Sequence, residues 1–246
     1  MKIKEIHKKI IDLFNQNKIP WLTCNLPMEN LHSWAISTKK RLKLKDTFES
    51  SVTELFWTMS QIQISLGNAL IAKESCKYTK GTKGVAYTQN QVPNMIEIPE
   101  IHFWHHVYCC VECIYRCWER ITIILKDSCY PDCSEKLYFD GMITMLDKDK
   151  IFNINPKFHK LKQKRKSWNT IASYRNKLSH HQSSPFKRTK INGEVSNLCG
   201  PRGEYLFKLE YSSDNLNIEV DKMKNMYLKL LPVMKSMKEF IDHIKR

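Results

Sequence analysis

Apolar positions in this chain fall mostly at intervals of three and four, the period of an amphipathic helix. Ile3 to Gln16 opens with such a stripe beneath closely spaced charges and predicts a first helix. The strongest periodicity follows Lys45, where Phe48, Val52, Leu55, Met59, Ile62, Leu66 and Ala69 predict a long helix with Asp46 or Thr47 as its cap. A second long helix is predicted from Glu100 to Lys126, burying Trp104, Tyr108, Val111, Tyr115, Trp118, Thr122 and Leu125. A shorter one is expected from Ser134 to Leu146, another from near Ser167, and a closing one from Leu216 to Ile244. Met223, Met226, Tyr227, Leu230, Val233, Met234, Met237 and Ile241 mark the inner face of that last helix. Pro232 should kink it, because proline lacks a backbone donor and crowds the preceding turn.

The intervals between these stripes read as loops. Pro20 and Pro27 punctuate the first, with Trp21 and Trp34 tucking it onto the core and a basic run, KKRLKLK, at 39–45. Residues 77–99, with three Lys, two Gly and two Pro, read as an exposed loop, and a basic loop precedes Ser167. Asn192-Gly193 and the alternating EYLFKLEY predict a small β-hairpin within 187–211. The fold class is mostly α, a bundle of four to five long helices with that hairpin inserted before the last helix. Residues 1–45 form an N-terminal helix and loop packed on the core, and 46–246 form the main helical domain.

Composition narrows the class. Hydrophobic residues at 42% and charged residues at 26% exclude disorder for most of the chain, and 9 Pro with 7 Gly are too few for a collagenous or turn-dense all-β protein. The most apolar stretch, Ile101 to Leu125, contains Glu112, Arg116, Glu119 and Arg120, which a membrane span rarely carries. With no apolar leader at the start, a cytoplasmic protein is expected. Cys109, Cys113 and Cys117 recur every four residues along one helix face, which cannot surround a metal, and Cys129 and Cys133 form a weaker pair. All are expected to be reduced, partly buried thiols. His102 and His106 share a helix face with His105 nearby, but without the glutamate of a metalloprotease motif they read as part of an aromatic-rich helix.

Forty Lys and Arg against 25 Asp and Glu give a net charge of +15, which points to a polyanion. Twelve of those cations, and no acid, lie between Lys150 and Lys190, where an even scatter would place about four carboxylates. Lys160, Lys162, Lys164, Arg165, Lys166 and Lys177 are the candidate nucleic-acid contacts. Phe158, His159 and Trp168 interleave with them as surfaces on which bases could stack. Within this window Trp168, Ile171, Arg175 and Leu178 share one helix face, so an arginine sits in the inward stripe. A buried guanidinium needs a carboxylate, a second subunit or a phosphate; Glu112 and Glu119, seven apart on the long second helix, are the candidate carboxylates. Asn176 and His180 are neighbours at i and i+4.

Arg175-Asn176-Lys177-Leu178-Ser179-His180 resembles the R-x4-6-H signature of the HEPN superfamily, with its polar residue directly after the arginine. That resemblance implies a helical bundle that dimerises, bringing paired motifs into one metal-independent endoribonuclease site with no cofactor. It further implies a toxin or antiphage-defence role, with an antitoxin or defence partner. By the same resemblance Arg175, Asn176 and His180 are the catalytic residues. A histidine titrates near neutrality and suits proton transfer, an arginine fork matches phosphate oxygens, and the amide can orient either. His181 stands where glycine is common in the family, so either imidazole could act, and Glu112 and Glu119 are possible supports. The alternative is a non-catalytic HEPN-like module that binds RNA or a partner protein.

Overall fold

The computed structural model describes residues 3–20, 28–76, 86–87, 98–179, 186–188, 207–209 and 213–244. Its helices are α1 (Ile3–Gln16), α2 (Met28–Leu42), α3 (Asp46–Ser75), α4 (Ile98–Cys129), α5 (Phe139–Lys148), α6 (Lys150–Asn153), α7 (Pro156–Lys162), α8 (Arg165–Ser179), α9 (Ser213–Leu228) and α10 (Leu230–Asp242). Three short strands, β1 (Ala86–Tyr87), β2 (Phe186–Arg188) and β3 (Phe207–Leu209), pair antiparallel in the order β1-β3-β2. Lys187 lies opposite Lys208 and Ala86 also opposite Lys208 on the other side. The molecule is mostly helical. A closed hairpin is not seen, since its Asn192-Gly193 turn lies outside the described residues, as does most of the 77–99 segment.

The two longest helices form the spine. All seven stripe residues of α3, from Phe48 to Ala69, are buried. α4 runs antiparallel beside it with a fixed register: Thr47 Oγ1 donates to Asp127 Oδ2 at 3.2 Å, Arg120 Nε meets Glu54 Oε2 at 2.8 Å, and the Cys113 thiol lies 3.8 Å from Gln61 Oε1. Each step of seven residues forward on α3 is a step of seven back on α4. Gly67 lets α1 press close, because a Cβ there would sit 2.5 Å from Ile10 Cγ2. Trp118, Tyr227, Phe14, Phe48, Phe103, Phe139, Phe158 and Phe240 are fully buried and join all these layers into one apolar cluster.

Several expectations are corrected. The first loop holds α2, whose Leu31, Trp34, Ala35, Thr38 and Leu42 are buried at helical spacing, and Lys39, Lys40 and Arg41 of the basic run lie in its last turn. Trp21 and Pro27 lie outside the described residues. Neither Asp46 nor Thr47 caps α3: the N-cap is Lys45 with no side-chain hydrogen bond, and Thr47 reaches across to α4 instead. The inner face of α4 includes Phe103, Val107, Cys110, Ile114, Cys117 and Ile121, while Tyr108 is 40% exposed and Trp104 and Tyr115 only partly buried. A single stripe fails there because α4 is enclosed by α3, α5, α8, α9 and α10. Residues 134–138 stay out of α5. The basic loop before Ser167 contains α6 and α7, each started by a side-chain cap, Asp149 to the Ile151 amide and Asn155 to the Lys157 amide. At Pro232 the closing helix breaks rather than kinks. Proline cannot donate to the Leu228 carbonyl, so α9 ends there and Pro232 occupies the first turn of α10, where no donor is needed.

Candidate functional site

α8 is held against the bundle by three rows of contacts. Trp168, Ile171 and Leu178 are buried against the core. At its start, Arg165 pairs with Asp140 and donates to Thr144 Oγ1 at 2.9 Å. On its other flank the Tyr174 hydroxyl donates to Glu219 of α9, a buried carboxylate that also takes Lys222 Nζ at 2.6 Å. Burial, and then Glu219, push the Tyr174 hydroxyl far above its ordinary value, so it stays a donor.

Arg175 leaves this helix toward α4. Its Nε lies 2.8 Å from Glu112 Oε1, and its guanidinium carbon sits 5.1 Å from the centre of the Tyr115 ring. The Glu112 hydrogen bond raises the guanidinium above its already high value, so it is a permanent cation. The carboxylate predicted by the sequence is thus Glu112 and not Glu119. The side chain remains 36% exposed, and among the described residues Glu112 is its one hydrogen-bonding partner. A guanidinium bonded through Nε keeps the donors of both terminal nitrogens, which can pair with two oxygens of a phosphate. Asn176 follows it, exposed. The Lys177 side chain, His180 and His181 lie outside the described residues.

Beneath Arg175 lies an aromatic series that the sequence reading had only in pieces. Tyr115 packs on Trp168 at 5.1 Å, and Trp168 faces Tyr138 at 6.5 Å and 22°. Burial, followed by the charges of Glu119 and the neighbouring Tyr138, raises the Tyr115 hydroxyl. Glu119 itself lines a cavity of about 310 Å³ with Tyr138 and does not reach Arg175.

The basic window is less free than its sequence implied. Lys162 Nζ is 2.7 Å from Asp147, Lys157 and Lys160 each stand 3.9 Å from Glu239, and Arg165 and Arg175 have their own carboxylates. Phe158 and Trp168 are buried, which removes both as exposed stacking surfaces for RNA. Lys166 is exposed and Lys164 half-buried, and neither has an ion pair among the described residues.

Of the thiol stripe only Cys117 is fully buried, while Cys113 is partly buried and Cys109 Sγ lies 3.6 Å from His105 Nε2. Cys110 and Cys117 are fully buried, and burial pushes their thiols, and that of Cys113, above the ordinary range, away from the reactive thiolate. Cys133 is a free thiol, so CYPDC is not bridged. The His102 and His106 rings stack at 6.3 Å, and burial followed by His105 and His102 lowers His106. Among the described residues no three His, Cys, Asp or Glu are placed to hold a metal, and no helix is long and apolar enough to cross a membrane. The chain matches no protein-family model, no curated protein and no solved structure.

Proposed function

We propose that the chain is a HEPN-type endoribonuclease that cleaves RNA without a metal. The observation that carries this reading is Arg175, a partly exposed guanidinium held by Glu112 and Tyr115 at the head of the RNKLSH run. In the proposed reaction the ribose 2′-oxygen attacks the adjacent phosphorus as its proton passes to a base. The 5′-oxygen then leaves, taking a proton, and the products carry a 2′,3′-cyclic phosphate and a 5′-hydroxyl. Arg175 holds the charge that develops on the phosphate, His180 or His181 moves the proton, and Asn176 orients the phosphate. Two such motifs meet in a homodimer, and the protein acts in the cytoplasm as a toxin or in antiphage defence, with an antitoxin or other defence protein as partner.

The test is incubation of wild type, Arg175→Ala and His180→Ala with labelled RNA in excess EDTA. Wild type should yield cyclic-phosphate ends, and Arg175→Ala should lose about two to three orders of magnitude in rate, the scale for removing one preorganised donor. Cleavage that persists in both variants overturns the proposal. RNA binding shared by all three proteins, with no turnover at any pH, makes the chain an RNA-binding module instead. An Arg175→Ala protein that simply unfolds identifies the Glu112 pair as a structural brace.

A further inference from the structure

Next to the aromatic series is a cavity with no role so far. About 310 Å³ in volume, it lies between α4, which contributes Glu119, Thr122 and Lys126, and the extended segment that leads into α5, which contributes Lys136 and Tyr138. That volume is at the small end of the range for ligand sites, with room for one base and its sugar and none for a helix or duplex. Tyr138 is 49% exposed although its ring faces Trp168, so one part of it is backed by the aromatic series and the rest is open. Lys126 and Lys136 have no ion pair among the described residues, whereas the nearby Arg120 is already held by Glu54. The lining therefore offers an aromatic surface, two cations at the wall, and the Glu119 and Glu135 carboxylates as hydrogen-bond acceptors, whereas the Thr122 hydroxyl is buried and donates to the Trp118 carbonyl at 2.9 Å. The contacts Tyr138–Trp168–Tyr115–Arg175 run without a break from this cavity to the guanidinium.

We infer that this cavity receives an unpaired nucleobase of the RNA whose phosphate Arg175 holds, so that the substrate is single-stranded or locally unpaired RNA. The inference rests on the nuclease reading for its connection to Arg175. Tyr138 gives the base a stacking face, Glu119 accepts from its hydrogen-bonding edge, and Lys126 and Lys136 meet flanking phosphates. A base within a duplex is already stacked and paired, and cannot enter.

The probe is a short single-stranded 2′-O-methyl oligonucleotide, which lacks the attacking hydroxyl and stays intact, with affinity read by fluorescence anisotropy. Wild type should bind it at least about tenfold more tightly than the same strand annealed to its complement. Tyr138→Ala should weaken binding about tenfold and Tyr138→Phe should not, since stacking needs the ring and not the hydroxyl. Lys136→Glu, at an exposed position, should also weaken binding and supplies a second reading should Tyr138→Ala lose its helical circular dichroism. Absence of binding, equal affinity for single strand and duplex, or affinity unmoved by both Tyr138→Ala and Lys136→Glu overturns the inference. Tyr138-dependent binding in a protein that never cleaves RNA sinks the nuclease reading and leaves the cavity standing. Cleavage with KM unchanged in Tyr138→Ala does the reverse.

Discussion

Along α3 and α4 the surfaces that meet are apolar for most of two long helices, with a few polar contacts on the outer seam. Along α7 and α8, in contrast, the apolar rows are flanked by cations, of which Lys157, Lys160, Lys162, Arg165 and Arg175 find a carboxylate on another element. Asp140 and Asp147 come from α5, Glu239 from α10 and Glu112 from α4. The acid-free window is thus one side of a set of ion pairs whose other side lies elsewhere in the chain. Net charge summed along a segment overstates the field that segment presents, and the cations left for an anionic partner are those without such a mate.

The contrast can be tested at three scales. The largest effect belongs to the apolar side. Trp118 is fully buried, edge-on to Phe139 at 4.7 Å and 5.9 Å from Trp168, so Trp118→Ala should cost about 3–5 kcal/mol in urea unfolding. A loss under about 1 kcal/mol would show that the aromatic cluster does not join α8 to the core. On the charged side, Asp140→Asn should cost less than about 1 kcal/mol at neutral pH, because both partners are exposed by about two-fifths. Its pH dependence is more telling. The Arg165 hydrogen bond holds the Asp140 carboxyl below its ordinary value of 3.8, so the pair stabilises the fold above that pH and is lost as pH falls through the lower folded value. Wild-type and variant unfolding midpoints should converge there. A gap that persists in acid would assign the effect to packing. The smallest effect separates paired from unpaired cations. Lys166→Ala should lower the salt slope of RNA binding by about one, and Lys162→Ala, already committed to Asp147, by less. Equal slopes would mean that the internal pairs open on binding.

Much of this fold is legible in the sequence where burial falls on one face. Ile3–Gln16 matches α1, and the stripes of α3 and of α9 with α10 are buried as their spacing predicts. Legibility fails where burial wraps around, as on α4, and where two prolines mask the helical spacing of Leu31, Trp34, Ala35, Thr38 and Leu42. Asn155-Pro156 is a cap followed by a first-turn proline, a start signal for α7 that a count of lysines hides. At the site, Arg175 and its need for a carboxylate follow from an arginine in an apolar stripe, and Glu112 was one of two candidates. The packing of Tyr115, Trp168 and Tyr138 joins three distant segments, and no local pattern encodes it.

The seven-residue steps along the α3–α4 seam have a mechanical consequence. Thr47–Asp127, Glu54–Arg120 and Gln61–Cys113 engage together, like teeth cut at one pitch. Sliding one helix past the other by a single turn, about 5.4 Å, would bring Arg116 toward Glu54 and Cys109 toward Gln61, since each stands four residues before the present partner, whereas Thr47 would meet Ile123. Of the three contacts, Thr47–Asp127 is thus the one that tells this register from its neighbour one turn away.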